Sequence, residues 1–180
     1  DSRFSMQSAA EKKNQYLKLL KNYMDMVFMI KNLQNLLSEQ TNGTCALIIS
    51  PENRKYFTGF ESSDGFLLVS SDRAVFITDG RYIEAAENQI SSCEVALLGK
   101  AYPQIAEILK EMSCTRLLVE STRMTVSTYN SLKGVLKKIP ISTDTTLDTL
   151  INTLRSVKNR DEIRSILEAQ LIAESAFRHI

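Results

Sequence analysis

The sequence predicts a three-layer α/β/α domain built on a mixed β-sheet. Three observations carry this expectation. Short apolar runs alternate with stretches of helical periodicity. Several of those runs are apolar without alternation, so helices must cover both faces of the strands. Two runs, Phe66–Ser70 and Ala74–Thr78, are separated only by Ser71-Asp72-Arg73. A connection that short makes an antiparallel hairpin, so the sheet is not purely parallel.

The elements follow in order. Between Ser8 and Gly43 there is no proline or glycine, and residues 8 to 40 read as one long helix or two consecutive ones. Leu19, Tyr23, Met26, Ile30, Leu33 and Leu37 recur at alternating four- and three-residue spacings, which makes one apolar seam. Sustained for this length, the seam permits a coiled coil, and a helix packed on its own domain is the preferred reading. Asn42-Gly43 is a turn, although Asn42-Gly43-Thr44 is formally a glycosylation sequon. Leu47–Ile49 is a strand. Ser50 then caps a short helix that has Pro51 at its first position, where the missing N–H costs nothing. After the hairpin, Arg81–Ile90 is a helix capped by Thr78 or Asp79, and Cys93–Leu98 is a strand. Pro103 opens a helix whose apolar positions are Ile105, Ile108, Leu109 and Met112. Arg116–Glu120 is a strand, Thr125 caps a helix running to about Leu136, and Ile139–Ser142 is a short edge strand. Asn159 with Glu162 three residues on reads as a capping box. The helix that follows carries Ile163, Ile166, Leu167, Leu171, Phe177 and Ile180 on one face. No glycine, proline or polar turn ends it, so it reads as interrupted.

Composition excludes several classes of function. The chain has 180 residues, enough for one domain with a full core. With 22 basic and 21 acidic residues it lacks the surplus that nucleic acid or an anionic membrane would require. No apolar run reaches the ~20 residues that span a bilayer. Cys45, Cys93 and Cys114 are odd in number and widely spaced, neither a disulfide framework nor a zinc pattern. That usage fits a reducing compartment, and a cytoplasmic location is expected. Two of the three border apolar runs and read as small buried hydrophobes.

The stretch from Cys45 to Tyr82 carries the strongest signal. Ser50-Pro51-Glu52-Asn53 is followed by Tyr56-Phe57-Thr58-Gly59-Phe60, then Ser63-Asp64-Gly65, then Thr78-Asp79-Gly80-Arg81-Tyr82. Collectively these pieces resemble the N-terminal domain of the creatinase, prolidase and Xaa-Pro aminopeptidase family. Leu154-Arg155, Val157-Lys158, Glu162-Ile163, Ala169, Ala176-Phe177 and His179-Ile180 resemble that family's junction with its catalytic domain. The resemblance divides the chain into an N-terminal helical extension (1–28), a creatinase-like domain (29–150) and a linker with the first helix of a catalytic domain (151–180). It implies a ribonuclease H-like fold and a domain that does no chemistry itself. The parent enzyme would hydrolyse the bond before proline in peptides, using two divalent metal ions (manganese, cobalt or zinc). The partners implied are the catalytic domain of the same polypeptide and a second copy in a homodimer.

The rest of the inventory offers no catalytic set. The chain has a single histidine, His179, which reads as a surface or linker residue. Gly59–Gly65 lacks the Gly-Lys-Ser/Thr of a P-loop, and no G-x-S-x-G elbow is present. No catalytic or metal-binding residue is therefore assigned, and the chain alone is expected to be inactive and to hold no cofactor. In dimeric relatives the loop after the Gly-Phe motif reaches the neighbouring subunit's active site. The resemblance makes Glu61, Ser63 and Asp64 candidates for that substrate mouth, and a plain hairpin-entry loop is the alternative. Gly59, Phe60, Asp79, Arg81 and Tyr82 read as structural motif residues, with Phe60 in the core. Arg81 at a helix start is misplaced for the macrodipole, which calls for a fixed carboxylate partner. The competing functional reading is a free-standing, non-enzymatic interaction module of the same fold, binding partners through its helical apolar faces.

Overall fold

A computed structural model describes residues 28–179. Its six strands are β1 (Thr44–Ile48), β2 (Phe66–Val69), β3 (Ala74–Thr78), β4 (Glu94–Leu97), β5 (Arg116–Val119) and β6 (Ile141–Ser142). They form one sheet in the order β4-β3-β2-β1-β5-β6. The β2–β3 hairpin pairs antiparallel, as does β1 with β2, while β1–β5, β3–β4 and β5–β6 are parallel. The mixed sheet is thus present, and every strand except the β2 member ends at the same edge.

Helices cover both faces. The helix α1 (residues 28–38), α2 (Pro51–Thr58), α3 (Ile83–Gln89) and α6 (Thr146–Ser156) lie on one side. There Ile30, Leu33, Leu37, Phe57, Ala86, Leu147 and Ile151 meet Ala46, Ile48, Leu67, Val69, Phe76 and Leu118. On the other side α4 (Ala101–Glu111) and α5 (Val126–Val135) place Ile105, Leu109 and Leu132 against Cys45, Leu47, Leu68, Val75, Ile77, Leu117 and Val119. Alternate residues of each central strand go to opposite layers. That is why the runs carry no polar alternation. Ile30, Leu33 and Leu37 are spent on this core, so the described part of the N-terminal seam packs on its own domain. Leu19, Tyr23 and Met26 lie outside the described residues.

Several element starts differ from expectation. α3 begins at Ile83, because Asp79–Tyr82 is a turn in which the Asp79 carbonyl accepts from the N–H groups of Tyr82 (3.0 Å) and Ile83 (3.1 Å). The Asp79 carboxylate accepts from the Arg81 N–H at 2.8 Å, and no side chain caps α3. Pro103 sits inside the first turn of α4, which opens at Ala101. A backbone N–H at that position would have no helical partner, so proline's lack of one costs nothing there. α6 carries no strong start signal in sequence and begins at Thr146. Thr125 caps α5 as expected, accepting from the Thr128 N–H at 3.1 Å. The capping box of α7 (Arg160–Phe177) is complete: Asn159 Oδ1 accepts from Asp161 and Glu162, and Glu162 accepts from the Asn159 N–H. No residue of α7 is buried, and Ile166 and Phe177 are 52% and 81% exposed.

Ser50 corrects the sequence reading. Its hydroxyl does not cap α2 but donates to Glu120 Oε1 at 2.6 Å. Glu120, directly after β5, is 1% exposed. Its other oxygen accepts from the Ile49 (2.5 Å) and Ser50 (2.8 Å) N–H groups, and Asn53 Nδ2 donates to Oε1 at 2.6 Å. One buried carboxylate thereby satisfies the chain where it leaves β1 and enters α2. Hydrogen bonds to a charged group are worth about 1.5–3 kcal/mol each, and stranding their buried donors costs more than the mean suggests. Glu120→Ala is expected to lower stability by about 3 kcal/mol or more. Urea unfolding checks this, as a lower midpoint at unchanged slope. Thr125→Ala, which removes one exposed cap, is expected to cost about 1 kcal/mol in the same measurement.

Candidate functional site

The motif residues converge at the edge where β1, β3, β4 and β5 end. α2 stops at Gly59, whose left-handed conformation (φ 69°) releases the chain into the loop toward β2. Gly65 closes that loop at φ 139°, where a Cβ would stand 2.7 Å from the Ile77 carbonyl oxygen. Only glycine lets the two backbones approach this closely. Between them Phe60 is buried, with its ring edge-on to Phe76 (6.0 Å) and Tyr82 (6.2 Å). Phe60 is therefore core, as expected.

Arg54 holds the loop from beneath. Its guanidinium, on α2, is buried, donating to the carbonyls of Ile49, Ser62 (2.9 Å) and Ser63 (3.2 Å). Burial pulls its pKa below the ordinary arginine value, and the charges of Asp64 and Glu120 oppose that shift. Arg54 and Glu120 thus fix the two sides of α2's first turn, one through carbonyls and one through N–H groups.

Above this support lies a charged cluster. Arg81 Nη2 donates to Asp79 Oδ2 at 2.7 Å and to Asp64 Oδ2 at 3.0 Å, and its Nε donates to Asp79 Oδ1 at 3.1 Å. The carboxylate partner that its position required is Asp79, with Asp64 as a second. The Arg81 guanidinium also lies 5.3 Å from the Tyr82 ring centroid. Ser63 Oγ and the Tyr82 hydroxyl are 3.2 Å apart. The structure thus gathers Ser63, Asp64, Asp79, Arg81 and Tyr82. It separates Glu61, which turns away to pair with Lys55 at 2.6 Å. The Asp64 and Arg81 side chains are 67% and 65% exposed, so they face any approaching molecule.

The cluster does not have the form of a metal site. Its two carboxylates are aimed at a guanidinium, which occupies the position a cation would take. Among the described residues no group of three or more His, Cys, Asp or Glu side chains could share an ion. His179 lies in the turn after α7, its Nδ1 2.8 Å from the Ser175 carbonyl. The residues present do not fit a metal pair.

Sequence reasoning gave no site role to Arg54, Glu120 and Arg155. Arg155, near the end of α6, donates to Asn53 and lies 5.5 Å from the Tyr56 ring centroid, while the Tyr56 hydroxyl donates to the Leu154 carbonyl at 3.2 Å. Asn53 therefore links Glu120 to the segment that leads into α7. The available signal was slight: Glu120 is the charge abutting the apolar run Leu117–Val119, and Arg54 follows the Ser-Pro-Glu-Asn motif.

Asp79 is held below the usual aspartate range, first by the Arg81 side chain and second by the Arg81 N–H. A carboxylate with a depressed folded pKa keeps its cluster intact above the unfolded value of about 3.9, and the contribution is lost as pH falls through the folded value. An NMR titration of the Asp79 carboxyl carbon should give a midpoint below about 3.9, and Arg81→Ala should raise it toward that value.

The comparisons with known proteins agree with this geometry. The family described as the creatinase/prolidase N-terminal domain matches residues 29–157. The uncharacterized peptidase YqhT of Bacillus subtilis is 35% identical over 155 residues, covering 84% of this chain and 42% of that protein. The chain thus spans less than half the length of this curated relative. The Xaa-Pro dipeptidase of Bacillus anthracis superposes with a TM-score of 0.75 at 29% identity, over 86% of this chain and 42% of that one. The N-terminal domain of the cytoplasmic peptidase PepQ from Mycobacterium tuberculosis gives 0.60 at 29% identity, over 68% of this chain and 97% of that one. With its motif residues assembled on one sheet edge and most of its length matched, the chain belongs to the creatinase/prolidase N-terminal domain family.

Proposed function

We propose that this chain is the non-catalytic N-terminal domain of an Xaa-Pro metallopeptidase, of aminopeptidase P or prolidase type. It contributes to oligomer assembly and shapes the mouth of an active site that the catalytic domain supplies. The observation that carries this reading is the exposed Asp64–Arg81–Asp79 cluster, rigidly supported yet lacking any catalytic set. A loop held by a buried arginine and presenting a fixed charge pattern can orient a peptide terminus without reacting with it. The exposed apolar face of α7 supports the same reading, since a stripe of that size calls for a covering partner. The catalytic domain of the same polypeptide is that partner, and it holds the two divalent ions. Cleavage before proline, homodimerisation and a cytoplasmic location belong to this proposal. Among the described residues no helix is long and apolar enough to cross a membrane.

The α7 stripe also favours a second reading, a free-standing module that docks a helical partner through that face. The two readings separate on the parent protein. The chain alone, supplied with manganese, should release no residue from Xaa-Pro peptides; manganese-dependent release by it would overturn the proposal. In the full-length enzyme Asp64→Asn should raise KM for peptides about fivefold at nearly unchanged kcat, the size expected from an exposed charge contact of up to ~1 kcal/mol. Unchanged KM in both Asp64→Asn and Arg81→Ala would remove the mouth role.

A further inference from the structure

The end of α6, where the chain turns toward α7, is gripped by α2. Arg155 donates to the Asn53 side-chain oxygen and holds its guanidinium 5.5 Å from the Tyr56 ring centroid. The Tyr56 hydroxyl lies 3.2 Å from the Leu154 carbonyl oxygen and 3.0 Å from Met29 Sδ. Asn53 is itself fixed, because its amide donates to the buried Glu120 carboxylate at 2.6 Å. Asn53 and Tyr56 share one face of α2. They meet two consecutive residues near the end of α6, one through a guanidinium and one through a backbone carbonyl. The link that follows, Val157-Lys158-Asn159, contains neither glycine nor proline. Val157 is extended, and Asn159 is tied into the capping box with Glu162. Asp161 and Glu162 are half-buried, whereas every described residue from Ile163 onward is exposed. α7 therefore leaves the domain as an arm packed at its root alone.

These contacts exceed what holds α6 in place. Leu147 and Ile151 already bury it on the sheet, and Arg155 is exposed at its far end. We propose that Arg155 is a positioning residue, which with Asn53 and Tyr56 sets the direction in which α7 leaves the domain, and so places the catalytic domain against the mouth. This rests on the reading above, in which a catalytic domain follows α7 and the Asp64–Arg81–Asp79 cluster lies at its mouth. Arg54, next to Asn53, holds the Ser62 and Ser63 carbonyls of the loop that carries Asp64. One turn of α2 thus references both the outgoing arm and the mouth loop to the same support. A domain carried by α7 is registered against Asp64 without Arg155 touching the mouth. A guanidinium suits this task, since its planar donors reach an amide oxygen while its face lies against a ring. A misplacement of about 1 Å is enough to weaken a positioned contact.

Two measurements test the proposal. In the 180-residue chain, weakly aligned in a stretched gel, residual dipolar couplings of the α7 amides should fit the same orientation tensor as those of the strands. Arg155→Ala should reduce the α7 couplings and leave those of the strands, which report that the variant is folded. Arg155→Lys, which keeps the charge and a donor, should restore part of the loss. α7 couplings already averaged in the wild type, or unchanged by Arg155→Ala, would overturn the proposal whatever the parent enzyme does. In the full-length enzyme Arg155→Ala should raise KM for peptides about threefold at nearly unchanged kcat, the size that exposed cation–π and hydrogen-bond contacts support. It should add nothing to the rise caused by Asp64→Asn, because both act through the mouth. Multiplying effects of the two substitutions would remove the positioning role. If Asp64→Asn leaves KM unchanged, the mouth reading fails, and the α7 couplings still decide whether Arg155 directs the arm.

Discussion

The carboxylate of Glu120 is the constraint on which the rest of this edge depends. A parallel pair such as β1–β5 leaves backbone N–H groups without partners where β1 runs out and the chain turns into α2. Solvent is a poor substitute there, since Ser50 is buried and Ile49 half-buried. Glu120 supplies two acceptor oxygens in one rigid group, and both are filled by β1's exit, Ser50 and Asn53. A buried charge is tolerable only when hydrogen bonds replace its hydration, and four of them do so here.

From that anchor the architecture of the edge follows. With the first turn of α2 fixed, Arg54 projects to the other side and gathers the carbonyls of the loop leading to β2. The loop, so held, brings Asp64 to Arg81 and Ser63 to Tyr82. Asn53 extends the same network through Arg155 to the end of α6, so the entry to α7 is registered against the sheet edge by side chains of α2. The exposed ion pairs on top are weak in themselves. Their geometry is fixed by the buried polar layer below.

Much of this was legible in the sequence because apolar continuity and turn chemistry are local signals. The unalternating runs announced a sheet covered on both faces, Ser71-Asp72-Arg73 announced the hairpin, and Asn159 with Glu162 announced the start of α7. The motif residues named the family because they lie within one stretch of chain. What escaped was non-local. Nothing near Ser50 tells that its hydroxyl will be drawn from the cap it was expected to form to a carboxylate 70 residues on. The start of α3 was missed for a related reason: Arg81 is a good helix former by propensity, yet its bidentate contact with Asp79 favours a turn. Glu61 looked equivalent to Asp64 in sequence, and only the fold shows that it faces Lys55 instead.

The central claim is that the Glu120 carboxylate, and not the ladder alone, holds the exit of β1. Native-state hydrogen exchange of the Ile49 and Ser50 amides tests it directly. Both lie beyond the last β1 residue, yet both should be protected to nearly the level of the β1 core, opening only with global unfolding. Exchange of these two amides at the rate of an open loop, with the β1 amides still protected, would contradict the account.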